Sequence, residues 1–355
     1  MSENAVALAP NSPLPKHVPI AHTTRGGYVE NVFYGSVAVV DRNGKLIASA
    51  GDVQTPIFTR SALKPFQALP LVAHPKFADY KLSAAETALL CASHNGEDMH
   101  AEAAKAMLSR IGLTDAALLC GTHAPYWYSA NDKRPEEGRR WSAYFHNCSG
   151  KHSGMLLYAA LNAADKAHYL DTDHVVQMAI RDAVAYACGV ADTASMPWGT
   201  DGCSAPNYAV PLTGLARAFA WMTRDDADAK FGDAGQRLFH AMATHPEMIS
   251  GEGRNDLALA KAGRGDWIAK IGAEGVQTLA SKYRGIGIAM KNSSGNQASA
   301  NPTALMVAFC SVLAQLNLLD DFATAALRSW FNPVITSIRG VEVGRYEPNV
   351  TLRIA

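Results

Sequence analysis

The sequence lacks a net charge, a long apolar run and closely paired cysteines, and each absence excludes a class of protein. Lysine plus arginine (32) balance aspartate plus glutamate (32), and no basic run lies among the scattered aromatic residues. No net electrostatic attraction therefore draws the chain to nucleic acid or to an anionic membrane surface. No window approaches the ~18 consecutive apolar residues that a membrane-spanning helix needs. We expect no nucleic-acid partner and no membrane association.

Cysteine usage and the amino terminus indicate a reducing compartment. None of the six cysteines belongs to a Cys-x-x-Cys pair, so a structural zinc site of that type is not indicated. Residues 1–16 contain three prolines and no apolar stretch of signal-peptide length. We therefore predict a cytoplasmic protein whose thiols stay reduced. Residues 1–20 are predicted to form a flexible arm.

The composition predicts a large buried core. Of the 355 residues, 48% are hydrophobic and 18% are charged, which argues against a disordered chain. Strand patterns lie near both ends: a hairpin over 34–49 with an Asn43-Gly44 turn, and three short strands within 267–290. Helical spacing dominates the sequence between them, as from Val175 to Cys188, and Ser83-Ala84-Ala85-Glu86 is a capping-box pattern that starts a short helix. We predict an α+β fold in which residues 21–355 form a single catalytic unit of two packed subdomains. Its antiparallel sheet comes from both chain ends, its middle is helical, and an irregular tail follows the last helix, which ends at Trp330.

Ser61 and Lys64 carry the most informative short motif, Ser-x-x-Lys, at the start of a helix predicted to run to Val72. Residues at this spacing share one helix face, about one turn apart, so the amine lies within reach of the hydroxyl. A lysine with a depressed pKa can take the proton of a serine and make it a nucleophile. Serine β-lactamases and penicillin-binding proteins use the motif in this way. The alternative interpretation of so short a motif is a solvated helix face.

Two more residues interrupt patterns that would otherwise be structural. Ser93 lies in a polar cluster, 93–98, after an apolar helix end. The cluster is either a helix terminus followed by an N-cap, or it brings a second hydroxyl to an active-site edge. Lys270 lies inside an apolar strand pattern. A lysine there is either at a sheet edge, where its charge blocks aggregation, or against a site that lowers its pKa.

Two turns contain cysteine beside potential partners. Cys148 and Lys151 share a glycine-containing turn with two histidines, and Cys203 follows Asp201 in another turn. Thiolates on separate turns with nitrogen or oxygen ligands nearby can bind a borderline-soft cation such as zinc. A reactive thiol, activated by a nearby cation, is the competing interpretation. The other four cysteines lie in or beside apolar runs and are predicted to be core thiols: Cys91, Cys120, Cys188 and Cys310.

Taken together, these segments resemble the Rhizobium etli-type (class 3) L-asparaginases, the asparaginase II sequence family. The resemblance spans Arg25 to about Met290 in the family order, and its two longest motifs are Asn-Cys-Ser-Gly-Lys-His and Trp-Gly-Thr-Asp-Gly-Cys. The matching motifs are Arg60-Ser61-x-x-Lys64-Pro65-x-Gln67-Ala68, Cys91-Ala92-Ser93-His94, Asn147-Cys148-Ser149-Gly150-Lys151-His152, Trp198-Gly199-Thr200-Asp201-Gly202-Cys203, His245-Pro246-Glu247-Met248-x-x-Gly251-Glu252-Gly253-Arg254 and Lys270-x-Gly272-Ala273-Glu274-Gly275.

The resemblance implies a fold similar to serine β-lactamases and glutaminases, a homodimer, and hydrolysis of L-asparagine to L-aspartate and ammonia. It implies two Ser-Lys tandems meeting in one site, Ser61 with Lys64 and Ser93 with Lys270. An ancillary zinc ion would be held by Cys148, Lys151 and Cys203, with Arg60 and Asp201 beside the serines.

We expect Ser61 to attack with neutral Lys64 as the base, although Ser93 is not excluded as the attacking serine. Repulsion between the two ammonium groups predicts that either Lys64 or Lys270 titrates low. The charged ends of the substrate predict flanking partners: Arg60 or Arg254 for the carboxylate, and Asp201 or Glu252 for the amine.

Two rival functions remain at this stage. One is another amidohydrolase on the same fold, acting on glutamine or a β-lactam. The other is a zinc- or thiol-based sensor in which Cys148 and Cys203 respond and Ser61 only starts a helix.

Overall fold

A computed structural model of the protein describes residues 13–294 and 302–355. Residues 1–12 of the predicted arm lie outside this range, and the first strand begins at Val18, inside the predicted arm 1–20. The strands are β1 (Val18–Arg25), β2 (Tyr28–Asp41), β3 (Leu46–Ala50), β4 (Ile57–Phe58), β5 (Trp198–Thr200), β6 (Pro206–Val210), β7 (Trp267–Gly272), β8 (Val276–Ser281), β9 (Ile286–Asn292), β10 (Val334–Thr336), β11 (Glu342–Pro348) and β12 (Arg353–Ile354). The α-helices are α1 (Lys64–Val72), α2 (Ala84–Leu89), α3 (Asp98–Ser109), α4 (Tyr126–Ala130), α5 (Ser149–Leu161), α6 (Val175–Cys188), α7 (Leu212–Trp221), α8 (Ala234–Thr244), α9 (Asn255–Gly263), α10 (Pro302–Gln315) and α11 (Asp321–Ala326).

The large sheet is antiparallel and is built from both ends of the chain, as predicted. Its strand order is β10-β11-β1-β2-β9-β8-β7, and β3 pairs with both β2 and β12. The joint between the two chain ends is the β2–β9 pair, in which Gly35 to Asp41 faces Asn292 to Ile286. The helices α1 to α9 lie between these ends in sequence. The α+β fold class, with its sheet from both ends and its helical middle, is therefore confirmed.

Successive apolar side chains of β2 pack into two different cores, one on each face of the sheet. Ala38 and Val40 join the core formed with α1, α2 and α5–α8. Val37 and Val39 point the other way, into a second core that includes α10. Because successive side chains of a strand point to opposite faces, a run of apolar residues can serve two cores only in a sheet covered on both sides.

The hairpin between β2 and β3 follows the local turn chemistry. The Asp41 carboxylate accepts hydrogen bonds from the backbone N–H groups of Asn43 and Lys45, both at 2.9 Å. Gly44 has φ +85°, a conformation that glycine adopts without steric cost. The predicted turn is therefore confirmed.

The prediction of an irregular carboxyl-terminal tail is wrong. Strands β10, β11 and β12 lie in this segment, and β11 pairs with β1 so that Ala21 faces Pro348. The side chains of β11 are half-buried or exposed and give no clear apolar alternation. The strand forms because β1 offers it backbone hydrogen bonds, and the tail sequence by itself does not reveal that partner.

The turn before α1 and helix α9 both pack against β7. The loop after α2 joins them, because the Ser93 N–H donates to the Ile249 oxygen at 2.8 Å and the His94 N–H donates to the Asn147 oxygen, just before α5, at 3.2 Å. No helix within the described ranges is long and apolar enough to cross a membrane.

Candidate active site

Lys64 is at the centre of a buried polar cluster. Its side chain is fully buried, and its Nζ lies 2.5 Å from the backbone oxygen of Ala92, 2.8 Å from Ser93 Oγ and 3.1 Å from Cys148 Sγ. All three partners can accept a hydrogen bond, and a lysine ammonium has three hydrogens to donate. The surroundings therefore offer a partner to each hydrogen of a protonated Lys64.

The two serines differ in accessibility and bonding. Ser93 is only 3% exposed, and its hydroxyl oxygen is the partner of Lys64. Ser61 is partly exposed, and no hydrogen bond to its hydroxyl occurs within the described parts of the chain. The Ser-x-x-Lys spacing predicted that the Lys64 amine lies within reach of a serine hydroxyl. In the structure, the amine contacts Ser93 and not Ser61. The accessible, uncommitted hydroxyl is that of Ser61.

Lys270 lies on β7, the last strand in the sheet order, and its side chain is completely buried. Its Nζ donates to the backbone oxygen of Ile271 at 2.8 Å and lies 3.6 Å from an oxygen of Asp256. Burial lowers the pKa of Lys270 to about 8; Asp256 opposes the shift, and the positive charges of Lys64 and Arg254 add to it. The strand is at the sheet edge, but a buried amine cannot block aggregation there, so the structure favours the alternative of a lysine against a site that lowers its pKa.

Arg60 and Asp201 form an ion pair beside Ser61. The Nε and Nη2 atoms of Arg60 each lie 2.8 Å from Asp201 Oδ1, which also accepts the backbone N–H of Gly202. The pair joins the turn before α1 to the turn before β6. The structure thus brings together the two residues that the family resemblance placed beside the serines.

The three predicted zinc ligands also converge. Lys151 Nζ lies 2.9 Å from Cys203 Sγ, and all three side chains are buried. A hydrogen bond from Cys148, assisted by Lys151, lowers the pKa of Cys203 well below the usual thiol value, although burial opposes this. Burial also opposes charge on Lys151, but the neighbouring sulfurs of Cys203 and Cys148 raise its pKa above the usual value. Lys151 and Cys203 are therefore direct partners in a buried site.

The chemistry of this donor set fits zinc only if the lysine takes part. The described residues contain no group of three His, Cys, Asp or Glu side chains that could hold a metal ion. Two thiolates and an amine are nitrogen and sulfur donors of the type that zinc accepts, and the amine must lose its proton to bind. Lys151 would therefore have to be the third ligand.

Arg254 and Glu252 occupy one loop but have different surroundings. Arg254 Nη1 lies 3.1 Å from Asn95 Oδ1, and the guanidinium is in no ion pair within the described ranges. The Glu252 side chain is 67% exposed and pairs with Lys261, so the expectation that its carboxylate lines the site is not supported. Its backbone oxygen does contribute, because it accepts a hydrogen bond from Asn95 Nδ2 at 2.9 Å. Arg254 is therefore the loop's candidate ligand for an anion.

Five histidines surround the cluster. Burial lowers the pKa of His100 to about 4, of His146 to about 3 and of His152 to about 4, and lowers that of His94 as well. His94, His100 and His146 each accept a backbone N–H at Nδ1, and His94 and His100 stack at 4.6 Å. The fifth, His123, stacks on Tyr126 at 4.6 Å. Burial therefore favours the neutral form of His94, His100, His146 and His152.

The L-asparaginase II family matches residues 21–348. The chain belongs to this family. The description is that of an amide-hydrolysing enzyme, so the prediction of an amidohydrolase is confirmed at the level of the family. The narrower Rhizobium etli-type (class 3) assignment stays a prediction.

This L-asparaginase II family member is also similar to solved structures of low sequence identity. Mglu in its native form is 14% identical, and the match covers 80% of this chain and 64% of that one, with a TM-score of 0.44. A β-lactamase from Mycobacterium bovis is 13% identical over 79% of this chain and 94% of that one, with a TM-score of 0.42. This chain therefore matches less than two thirds of the length of Mglu. No curated protein matches the chain.

The structure of this family member also shows two site residues that we did not predict from the sequence, Asp256 and Asn95. Asp256 is 1% exposed beside Lys270, but in the sequence it is an ordinary acid in the first turn of a helix. Asn95 links the Ser93 loop to Arg254 and completes a Ser-x-Asn motif. Lys270-Ile271-Gly272 has the Lys-x-Gly spacing found with Ser-x-x-Lys in β-lactamases. The Ser-x-Asn and Lys-x-Gly motifs are visible in the sequence, and the first could have identified Asn95 as a site residue.

Proposed function

We propose that the protein hydrolyses L-asparagine to L-aspartate and ammonia, with Ser61 as the nucleophile. The observation that carries the proposal is the hydrogen bond between Lys64 Nζ and Ser93 Oγ. Lys64 is one helical turn from Ser61, whose hydroxyl is accessible. A serine becomes a competent nucleophile when a neighbouring base accepts its proton. Membership of the L-asparaginase II family supplies the substrate class.

The base comes from a pair of amines that shares protons. Lys64 and Lys270 are close enough for the charge of Lys64 to lower the pKa of Lys270. Deprotonation of Lys270 near pH 8 therefore leaves a neutral amine beside Lys64. Transfer of a proton from Lys64 to the Lys270 amine leaves Lys64 neutral. The Lys64 amine then accepts the Ser61 proton, which Ser93 relays.

The reaction then follows the pattern of acyl transfer. Ser61 Oγ attacks the side-chain amide carbon, and the tetrahedral intermediate carries its negative charge on the former amide oxygen. The proton held by Lys64 passes to the amide nitrogen, the C–N bond breaks, and ammonia leaves an ester on Ser61. Water attacks this ester, with the lysine accepting one proton of the water, and releases L-aspartate with the serine restored.

The charged ends of the substrate have partners in the same region. Arg254, which is in no ion pair within the described ranges, binds the α-carboxylate. Asp201 binds the α-ammonium while keeping its bond to Arg60. These contacts orient the side-chain amide towards Ser61 and select an amino acid substrate.

We also propose an ancillary zinc ion held by Cys148, Lys151 and Cys203. When bound, zinc would supply charge and order to the two turns that flank the substrate. Lys64 Nζ lies 3.1 Å from Cys148 Sγ, so one of these donors contacts the proposed catalytic lysine directly. The serine and lysines already provide a nucleophile and a base, so the metal would have an orienting role.

The decisive experiment is ammonia release from L-asparagine by the purified wild-type protein and by Ser61→Ala. We expect wild-type turnover and a loss of about 10⁴-fold or more in the variant, because the acyl acceptor is gone. Ser93→Ala is the matched control, and its expected loss is about 10²-fold, since only a relay is removed. Full turnover by Ser61→Ala would show that another group attacks.

The zinc proposal predicts that Lys151→Met purifies with less than one tenth of the wild-type zinc content. The reason is that two thiolates alone leave the metal with too few protein ligands. Zinc per chain is measured by elemental mass spectrometry, with the buried-thiol variant Cys310→Ser as the control. Chelated wild-type protein should show a raised KM for asparagine at nearly unchanged kcat. A Lys151→Met protein with a full zinc complement would exclude this ligand set.

A further inference from the structure

Arg60, the residue before the proposed nucleophile, has an unusual backbone. Its φ is +52°, in the left-handed region that residues with a Cβ rarely adopt. The preceding residue, Thr59, has an ordinary right-handed conformation with φ −85°. A backbone of this kind persists only where its surroundings hold it, and such positions concentrate at functional sites.

Asn207 supplies that support with both ends of its side-chain amide. Its Oδ1 accepts the Arg60 backbone N–H at 3.2 Å, and its Nδ2 donates to the Arg60 backbone oxygen at 3.1 Å. Asn207 is only 3% exposed. One buried side chain therefore bonds both polar groups of the residue in the left-handed conformation.

Neighbouring elements fix Asn207 and the turn relative to each other. β4 pairs with β6 so that Phe58 faces Ala209, and Asn207 lies two residues before Ala209 on β6. On the other side of the turn, β7 packs closely against it. A Cβ on Gly272 of β7 would lie 2.3 Å from the Thr59 backbone oxygen. The turn is held between β6 and β7 and has little room to move.

The orientation of the Ser61 N–H follows from these bonds. The Arg60 C=O and the Ser61 N–H belong to one trans peptide, so they point in opposite directions. Because Nδ2 of Asn207 holds the oxygen, the N–H points away from Asn207. The Ser61 N–H has no acceptor within the described ranges, 13–294 and 302–355.

We propose that Asn207 is a positioning residue that keeps the Ser61 N–H available as an oxyanion donor. The inference rests on the proposed function, in which negative charge develops on the amide oxygen next to Ser61. If the peptide between Arg60 and Ser61 turned over, its carbonyl would face that oxygen, and the donor would be replaced by a repelling acceptor. Asn207 prevents this by favouring one orientation of the peptide.

Two substitutions at Asn207 separate this role from simple packing. Asn207→Asp keeps the size and the acceptor for the Arg60 N–H but loses the donor to the Arg60 oxygen. Asn207→Ala loses both. We expect each to lower kcat for L-asparagine by about 10²-fold, the cost of losing one oxyanion donor, with KM changed less than about three-fold. Asn292→Ala, a buried asparagine on β9, is the control and should keep wild-type kcat.

A second background tests the backbone argument itself. Glycine adopts left-handed conformations at no steric cost, so Arg60→Gly removes the need for support. We expect Asn207→Ala to cost about 10²-fold in kcat in the wild-type background and less than about ten-fold in the Arg60→Gly background. Equal losses in the two backgrounds would mean that Asn207 acts independently of the Arg60 conformation and would overturn the proposal.

The outcomes also separate this inference from the proposed function. An inactive Ser61→Ala together with a folded, fully active Asn207→Asp would reject the positioning role and keep the nucleophile. An active Ser61→Ala would reject the nucleophile itself. Thermal melting of each variant checks that the kinetic constants are measured on folded protein.

Discussion

Methionine in place of Lys64 is expected to lower kcat for L-asparagine by about 10³-fold, the scale of a lost general base. The substitution keeps an unbranched chain of similar length in a fully buried position, so the core remains filled. It removes the amine that joins Ser93 Oγ, the Ala92 oxygen and Cys148 Sγ. Without it, no base lies one turn from Ser61, while Arg254, the proposed ligand of the substrate carboxylate, is unchanged. We therefore expect little change in KM.

The Lys64→Met result is measured by ammonia release under saturating asparagine. Lys105→Met, on the exposed side of α3, controls for the general effect of replacing a lysine by methionine. The double variant Lys64→Met with Ser93→Ala should be no slower than Lys64→Met alone, because both residues act in one proton path. A folded Lys64→Met protein that keeps kcat within about ten-fold of wild type would rule out the lysine as base.

The rate is expected to rise with pH through an apparent pKa near 8, and Asp256→Asn should move this rise to lower pH. Burial, Lys64 and Arg254 lower the pKa of Lys270 to about 8, whereas Asp256 raises it from 3.6 Å away. Removing the Asp256 charge takes away a raising influence, so the pKa of Lys270 falls further. The proton that blocks the base is then lost earlier, and the shift should be about one pH unit or more.

The pH experiment compares kcat profiles from pH 6 to 10 for wild type and Asp256→Asn. Asparagine can keep the contact with Gln277 Nε2, which reaches Asp256 Oδ1 at 3.2 Å, so the substitution changes charge more than packing. Asp228→Asn, which removes a carboxylate bonded to Trp221, should leave the midpoint in place. A midpoint that moves to higher pH in Asp256→Asn would contradict the electrostatic account.

The sequence allowed prediction of features set by local chemistry. The Asn43-Gly44 turn and the capping box at Ser83 form because nearby side chains satisfy nearby backbone groups. Apolar spacing likewise located α6, whose bounds at Val175 and Cys188 agree with the sequence pattern. The family motifs identified the serines, lysines and cysteines that lie together in the candidate site.

Features set by distant partners could not be predicted in this way. The spacing of Ser61 and Lys64 says that the two share a helix face, but only the fold shows that the amine contacts Ser93. Asp256 shares no motif with Lys270, and the two meet because α9 packs against β7. β11 has no local signal, since its pairing partner β1 lies more than 300 residues earlier in the sequence.

The histidine hydrogen bonds around the site explain why the proposed mechanism assigns the base to a lysine and not to these histidines. In a neutral imidazole, one ring nitrogen carries the hydrogen and the other holds the lone pair. Nδ1 accepts a main-chain N–H in His94, His100 and His146, so the lone pair of each ring is already used and the hydrogen is on Nε2. This tautomer leaves the three rings as donors, as at His94 Nε2 towards Ser149 Oγ. None of the three has a free basic nitrogen to offer a serine.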